Sequence, residues 1–187
     1  MKNSFEITEL LEKKILEYIS KGKNLINQDK INNGFEMFNK ALHFCNKIIE
    51  KNKADFSLYY KKAYILTELG NLYDAIKCYN ECLKLKPDYY EAYCQKGELL
   101  ITLCNHKEAL NTYSKAIEID NNRSDAYMGK ALVYMDLQDY SMAFPLVKKA
   151  YRLDPCDEWC KCYYMLTKNM LNKSNSSNTN LVIPFEP

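Results

Sequence analysis

The sequence predicts an all-α chain of stacked antiparallel helix pairs. Three observations point there. A residue pattern returns every 34 positions, through Tyr59, Tyr93 and Tyr127, through Ala75, Ala109 and Ala143, and through Pro87, Asn121 and Pro155. Small residues fall at fixed places inside that period. Turn signals recur at the same phase, in a chain with only 5 Gly and 5 Pro. A period in this range marks supersecondary units stacked side by side, not one globule with a central catalytic pocket.

The elements follow in order. Residues 5–28 predict one long amphipathic helix, because Ile7, Leu10, Leu11, Tyr18 and Ile19 fall near helical spacing. A weak copy of the unit spans 15–55, with Tyr18, Gly22, Leu25, Gly34, Phe38, Ala41 and Asn46 at the internal spacings of the later ones. It is seven residues longer, and the extra length is expected in its second helix, since Asn46–Asn52 holds no turn signal. Three regular units span 56–89, 90–123 and 124–157. The first carries Tyr59, Ala63, Leu66, Ala75, Tyr79, Cys82 and Pro87. The second carries Tyr93, Gly97, Leu100, Ala109, Tyr113, Ala116 and Asn121. The third carries Tyr127, Ala131, Tyr134, Ala143, Val147, Ala150 and Pro155.

Inside each unit the turn reads Leu69-Gly70-Asn71, Leu103-Cys104-Asn105 or Leu137-Gln138-Asp139, with Asn71, Asn105 and Asp139 as expected helix N-caps. Pro87 and Pro155 stop second helices, because proline cannot continue one. Pro145 falls inside a second helix and predicts a late start near Ser141 or a kink. Residues 158–171 predict a terminal helix that covers the last apolar face, with Trp159, Tyr163 and Leu166 packed inward. Residues 172–187 are expected to be a flexible Asn/Ser-rich tail. It ends in the apolar run Leu181-Val182-Ile183-Pro184-Phe185, either an accident of sequence or a peptide that docks on the array or on a neighbouring copy.

The small columns have a packing reason. Gly22, Ala63, Gly97 and Ala131 share one place in the unit. Gly34, Ala75, Ala109 and Ala143 share a second, and Ala41, Cys82, Ala116 and Ala150 a third. Helix axes approach to about 8–10 Å only where side chains are small. Tyr and Phe columns fill the hollows beside them. Neither helix of a unit hides its apolar stripe alone, so stability comes from neighbours.

Over about residues 15–157 this pattern resembles the tetratricopeptide repeat, a helix–turn–helix unit with an aromatic and a small residue in its first helix and Ala, aromatic, Ala in its second. The resemblance implies a right-handed α-solenoid whose first helices line a concave groove. It also implies a non-enzymatic adaptor that holds a protein or peptide partner there. The groove positions it assigns are Ser57, Tyr60, Lys61 and Tyr64, then Glu91, Cys94, Gln95 and Glu98, then Asp125, Met128, Gly129, Leu132 and Met135. The strip most expected to touch a partner is Tyr60, Lys61, Tyr64, Cys94, Gln95, Glu98, Met128, Leu132 and Met135. Relatives that hold chaperone tails use a carboxylate clamp of Lys, Asn and Arg. Those positions here hold Tyr60, Tyr64, Gln95, Asp125 and Gly129, or, one unit earlier, Ile19, Lys23, Lys61, Glu91 and Gln95. Neither set supplies the cations that a carboxylate pair requires, so no chaperone-tail binding is expected.

Composition narrows the remaining classes. The chain is 47% apolar and 27% charged with net charge +2, its charges interleave, and no basic block marks a nucleic-acid footprint. The 8 Cys include no Cys-x-x-Cys pair. Cys78, Cys82 and Cys94 fall on helices where free Cys acts as a small hydrophobe. No metal and no cofactor are expected, and a reduced thiol set suits the cytoplasm. Residues 1–20 are polar, without a secretory signal, and no apolar run is long enough for a membrane span. The 2 His, His43 and His106, have no partner at catalytic spacing. An adaptor is therefore the first expectation. The alternative is a self-associating structural subunit that assembles through the C-terminal helix or tail.

Overall fold

The computed structural model describes residues 4–51 and 55–179. All of their regular structure is helical: α1 Ser4–Ile26, α2 Ile31–Ile49, α3 Phe56–Glu68, α4 Leu72–Leu85, α5 Tyr90–Thr102, α6 His106–Ile119, α7 Ser124–Asp136, α8 Tyr140–Leu153 and α9 Glu158–Thr179. The chain divides into two compact units, Met1–Ala92 and Tyr93–Pro187.

In the first unit α1 packs on α2, α2 on α3 and α3 on α4. Its core gathers Ile15, Phe38, Ala41, Cys45, Ile48, Leu58 and Ile65. The α1–α2 crossing depends on glycine. A Cβ on Gly34 would lie 2.6 Å from Ile26 Cγ1 and 3.0 Å from the Gly22 carbonyl oxygen, so the two backbones nearly touch. Helix α2 has 19 residues against 14 in α4. Its added length brings Cys45 and Ile48 into the core and takes up five of the seven extra residues of the first copy; the helix ends at Ile49, and Glu50 and Lys51 form a turn within the stretch expected to hold none. Asp55 caps α3, accepting from Ser57 N–H at 2.8 Å and Leu58 N–H at 3.4 Å. Asn71 stands at the start of α4, but its side chain makes no capping hydrogen bond there.

The second unit packs α6 on α7, α7 on α8 and α8 on α9. Lys96 ties α5 to α6 through Glu108 at 2.7 Å. Asn105 and Asp139 do cap their helices, accepting from Glu108 N–H at 3.4 Å and Met142 N–H at 3.1 Å. All three alanine columns are fully buried in both units. Pro145 neither delays nor breaks α8, which starts at Tyr140 and runs through it. The only donor lost is the one Ser141 C=O would have used. Both residues are exposed, so water can take up that carbonyl.

Every unit turns in the same way. Asp29, Gly70, Cys104 and Gln138 all have positive φ, between 55° and 76°. At each, two backbone bonds close the helix end, for example Gly70 N–H to Thr67 C=O at 2.9 Å and Asn71 N–H to Leu66 C=O at 2.8 Å. This is the Schellman motif, in which the left-handed residue satisfies carbonyls that the last turn leaves open.

Helix α9 departs from expectation twice. Its inward face is Cys160 and Thr167, both buried, while Trp159 is 72% exposed and Leu166 45%. Tyr163 is half-buried, with Trp159 stacked on it at 6.3 Å. The inward stripe is set by the small residues, which let α9 approach α8, and the large rings go to its edge. The helix also continues through Thr179, well past the expected end at Leu171. Asn and Ser disfavour a helix by only tenths of a kcal/mol each, and once nucleated a helix adds residues cheaply. No Gly or Pro interrupts 172–179. The apolar run 181–185 lies outside the described residues.

Candidate functional site

Two clusters on first helices gather most of the expected strip, one in each unit. In the first, α1 and α3 bring Ile19, Lys23, Tyr60, Lys61 and Tyr64 around a cavity of about 280 Å³. The helical period puts Tyr60, Lys61 and Tyr64 on one face, one turn apart. Tyr60 packs on Tyr79 at 5.7 Å and on Tyr89 at 5.1 Å. Lys61 Nζ lies 3.9 Å from Glu12. Lys23 Nζ lies over the Tyr64 ring, 4.5 Å from its centre, a cation–π contact. The Tyr64 hydroxyl donates to Glu68. Burial first, and that carboxylate second, push the phenol well above its usual range. The surface here is aromatic and cationic.

The second cluster lies in the other unit. A cavity of about 370 Å³ is lined by Cys94, Glu98 and Ile101 of α5, Tyr113 of α6, Ser124, Asp125, Met128, Gly129 and Leu132 of α7, and Asp157 and Cys160 at the start of α9. Its floor depends on two glycines. A Cβ on Gly97 would fall 2.5 Å from the Tyr113 ring, and one on Gly129 only 2.2 Å away. The buried ring of Tyr113 therefore fills the space that side chains on α5 and α7 would take. Asp157 accepts from Trp159 N–H at 2.9 Å and so holds α9 in place beside the cavity. Burial first, then the hydrogen bond to Asp157, push the Cys160 thiol up to about 12. It stays a neutral wall group, not a nucleophile. Glu98 keeps an exposed side chain. Its carboxyl is held above the usual range, by desolvation first and the Asp125 charge second.

Cys94, Glu98, Met128 and Leu132 of the expected strip line this one cavity. Of the groove positions assigned on α5 and α7, Glu91, Gln95 and Met135 do not line the cavity. Gln95 Nε2 donates to Glu98 at 3.3 Å. Met135 Sδ faces the Thr167 hydroxyl of α9 at 3.6 Å. Sequence reasoning missed Asp157 and Cys160, because it placed other faces of α9 inward. It also gave Tyr113 to the core alone, although its aromatic column beside a Gly column was the available signal. His106, the first residue of α6, sits 3.7 Å from Asp136 and lines neither cavity. Among the described residues, no group of three His, Cys, Asp or Glu side chains is placed to hold a metal ion. None of the described helices is long and apolar enough to cross a membrane.

The chain belongs to the tetratricopeptide repeat family, whose profile matches residues 56–89, 90–123 and 124–155, just over half of the sequence. The third span stops two residues short of the period's own boundary, and the α1–α2 pair lies outside the match. The chain is similar to the solved structure of MamA 41-end from Desulfovibrio magneticus RS-1, at 18% identity and TM-score 0.63, covering 90% of this chain and 97% of that one. It is also similar to a thermophilic tetratricopeptide repeat protein of Thermus thermophilus, at 14% and 0.60, covering 82% and 98%. A third likeness is to the Arabidopsis OM64 TPR domain, at 21% and 0.58, covering 61% and 94%. At these identities the likeness is one of fold. No curated protein sequence matches the chain. The fold class is all-α, an array of tetratricopeptide repeats, and proteins of this family generally mediate protein–protein interaction.

Proposed function

We propose that this protein is a non-enzymatic adaptor that holds a peptide or helix of a partner protein on the faces of its first helices. One observation carries the reading. Cys94, Glu98, Met128 and Leu132, assigned from repeat offsets, line one cavity with an apolar floor. Met and aliphatic surfaces offer contact area with adaptable shape. The cluster of Tyr60, Lys61 and Tyr64 adds a second such surface. Free thiols at all eight cysteines suit a reducing compartment and support a cytoplasmic site of action. The residues at the clamp positions, Ile19, Lys23, Lys61, Glu91 and Gln95 or Tyr60, Tyr64, Gln95, Asp125 and Gly129, are not the Lys, Asn and Arg set, which speaks against an Asp-ending chaperone tail as the partner. Capture from native cells should be lost for Lys61→Glu with Tyr64→Ala, or for Met128→Trp, with unchanged helical content by circular dichroism. Folded variants that capture the same proteins as the parent refute the reading.

The outer face of α9 favours a second reading, self-association, because Trp159, Met165 and Leu166 are 72%, 55% and 45% exposed. Exposed aromatic and aliphatic residues in one stretch of helix suit an interface. Light scattering should then show a mass that rises with concentration and falls back to a monomer in Trp159→Ala with Leu166→Ala. A monomer at all concentrations in the parent removes this alternative.

A further inference from the structure

The walls and rim of the second cavity differ in kind, and that difference selects a ligand. Met128, Leu132 and Ile101 supply aliphatic surface, while the polar groups at the edge include Glu98, Asp125 and Asp157. Among the described residues, no Lys, Arg or His lines it. Asp157 is committed to the α9 N-terminus. Asp125 meets Arg123 at 3.0 Å, but both side chains are exposed and such a pair holds weakly. Glu98 accepts from the neutral amide of Gln95. We propose that this cavity takes a basic amphipathic segment of a partner protein, with an aliphatic side chain against Met128 and Leu132 and a Lys or Arg against Glu98 and Asp125.

Charge complementarity commits the site to that occupant. An acidic segment would bring a further charge of the same sign to a rim that already holds three carboxylates, and an apolar one would leave Glu98 without a cation as water is expelled. A cation there forms charge-assisted hydrogen bonds and relieves the repulsion that helps to hold the Glu98 carboxyl above its usual range. The volume, about 370 Å³, lies at the small end of ligand cavities, enough for a few side chains and not for a whole helix. The inference rests on the reading of this face as a binding surface, and the experiment separates the two.

A random peptide library displayed on phage is selected against the full chain, and enriched peptides are synthesised and titrated by fluorescence anisotropy. Three proteins are compared: the parent, Glu98→Gln with Asp125→Asn, and Met128→Trp, each checked for helical content. The expected winners carry Lys or Arg close to Leu, Ile, Met or Phe. They should bind the neutralised variant about tenfold more weakly and Met128→Trp not at all. Their affinity for the parent should fall as salt is raised, a readout that needs no variant. Enriched peptides that are neutral or acidic, unmoved by neutralisation yet lost on Met128→Trp, overturn the ligand class and leave the binding face standing. Peptides that bind all three proteins equally overturn the face itself. Failure of any peptide to enrich overturns the proposal.

Discussion

The two units fill the same small-residue columns differently. In the first, backbone approaches backbone as well as ring: Gly34 and Gly22 nearly touch across α1 and α2, with the Phe38 ring 3.2 Å from where a Gly22 Cβ would stand. In the second, the same kind of vacancy receives a ring, since Tyr113 fills the space over Gly97 and Gly129. Their exposed strips diverge as well. One is lined by Lys23, Lys61 and tyrosines, the other by Met128, Leu132 and carboxylates. Even the thiols differ. All three cysteines of the first unit are buried or half-buried, while Cys104, Cys156 and Cys162 of the second are exposed. The lesson is that the repeat constrains only where a neighbour must come close. What fills the gap, and what the outward residues carry, is free to vary.

The contrast can be broken most forcefully at Tyr113. Removing this buried ring by Tyr113→Ala should cost about 3–5 kcal/mol, the range for a core aromatic. Gly129→Ala should cost about 1–3 kcal/mol, because a new Cβ overpacks against a ring with nowhere to go. The two losses should not add. With the ring gone, Gly129→Ala meets open space and should become neutral or stabilise by up to about 1 kcal/mol, the gain of Ala over Gly in a helix. Urea denaturation of the two single variants and the double variant measures this coupling. Additive losses would mean that Tyr113 and Gly129 do not share one packing site, and the distinction between the units would collapse.

Much of this was legible beforehand, for physical reasons that can be assigned. A column such as Ala75, Ala109 and Ala143 is visible because close helix approach forbids larger residues, and a period exposes it. The helix starts near Leu72, His106 and Tyr140 are visible because the turn chemistry before them repeats. Glu98 and Met128, which line the second cavity, were among the positions singled out by offsets within a first helix. The hidden features are those that depend on a single copy. Asp55 caps α3 at a position that has no counterpart in the other copies of the repeat. Helix α9 lies outside the three matched repeats, so no repeat column defines its inner face, and its bulky Trp159 was an attractive but wrong choice over Cys160 and Thr167. Its extension to Thr179 was hidden because a run of polar residues suggests mobility, although it carries no stop signal. The dual use of Tyr113, as core residue and cavity floor, depends on a depth that spacing alone does not encode.

A smaller effect sharpens the comparison at the turns. The first unit places Asp29 and Gly70 at its two left-handed positions, and the second places Cys104 and Gln138. A side chain in that conformation crowds the following carbonyl, at a cost of about 1–2 kcal/mol for ordinary residues and less for Asp or Asn. Glycine avoids the crowding but loses more chain entropy on folding, which returns about 0.4–1 kcal/mol of the gain. The second unit should therefore have unused stability at its turns. Gln138→Gly and Cys104→Gly should each raise stability by about 0.5–1 kcal/mol. Gly70→Ala in the first unit should lower it by a similar amount, even though a Cβ there meets nothing within 4 Å. That last variant isolates the backbone term, because no packing changes with it. Thermal melts of the three variants decide the matter. A destabilised Gln138→Gly, or an unaffected Gly70→Ala, would show that the backbone bonds of the Schellman turn, not the side chain's preference, dominate the energy of these reversals.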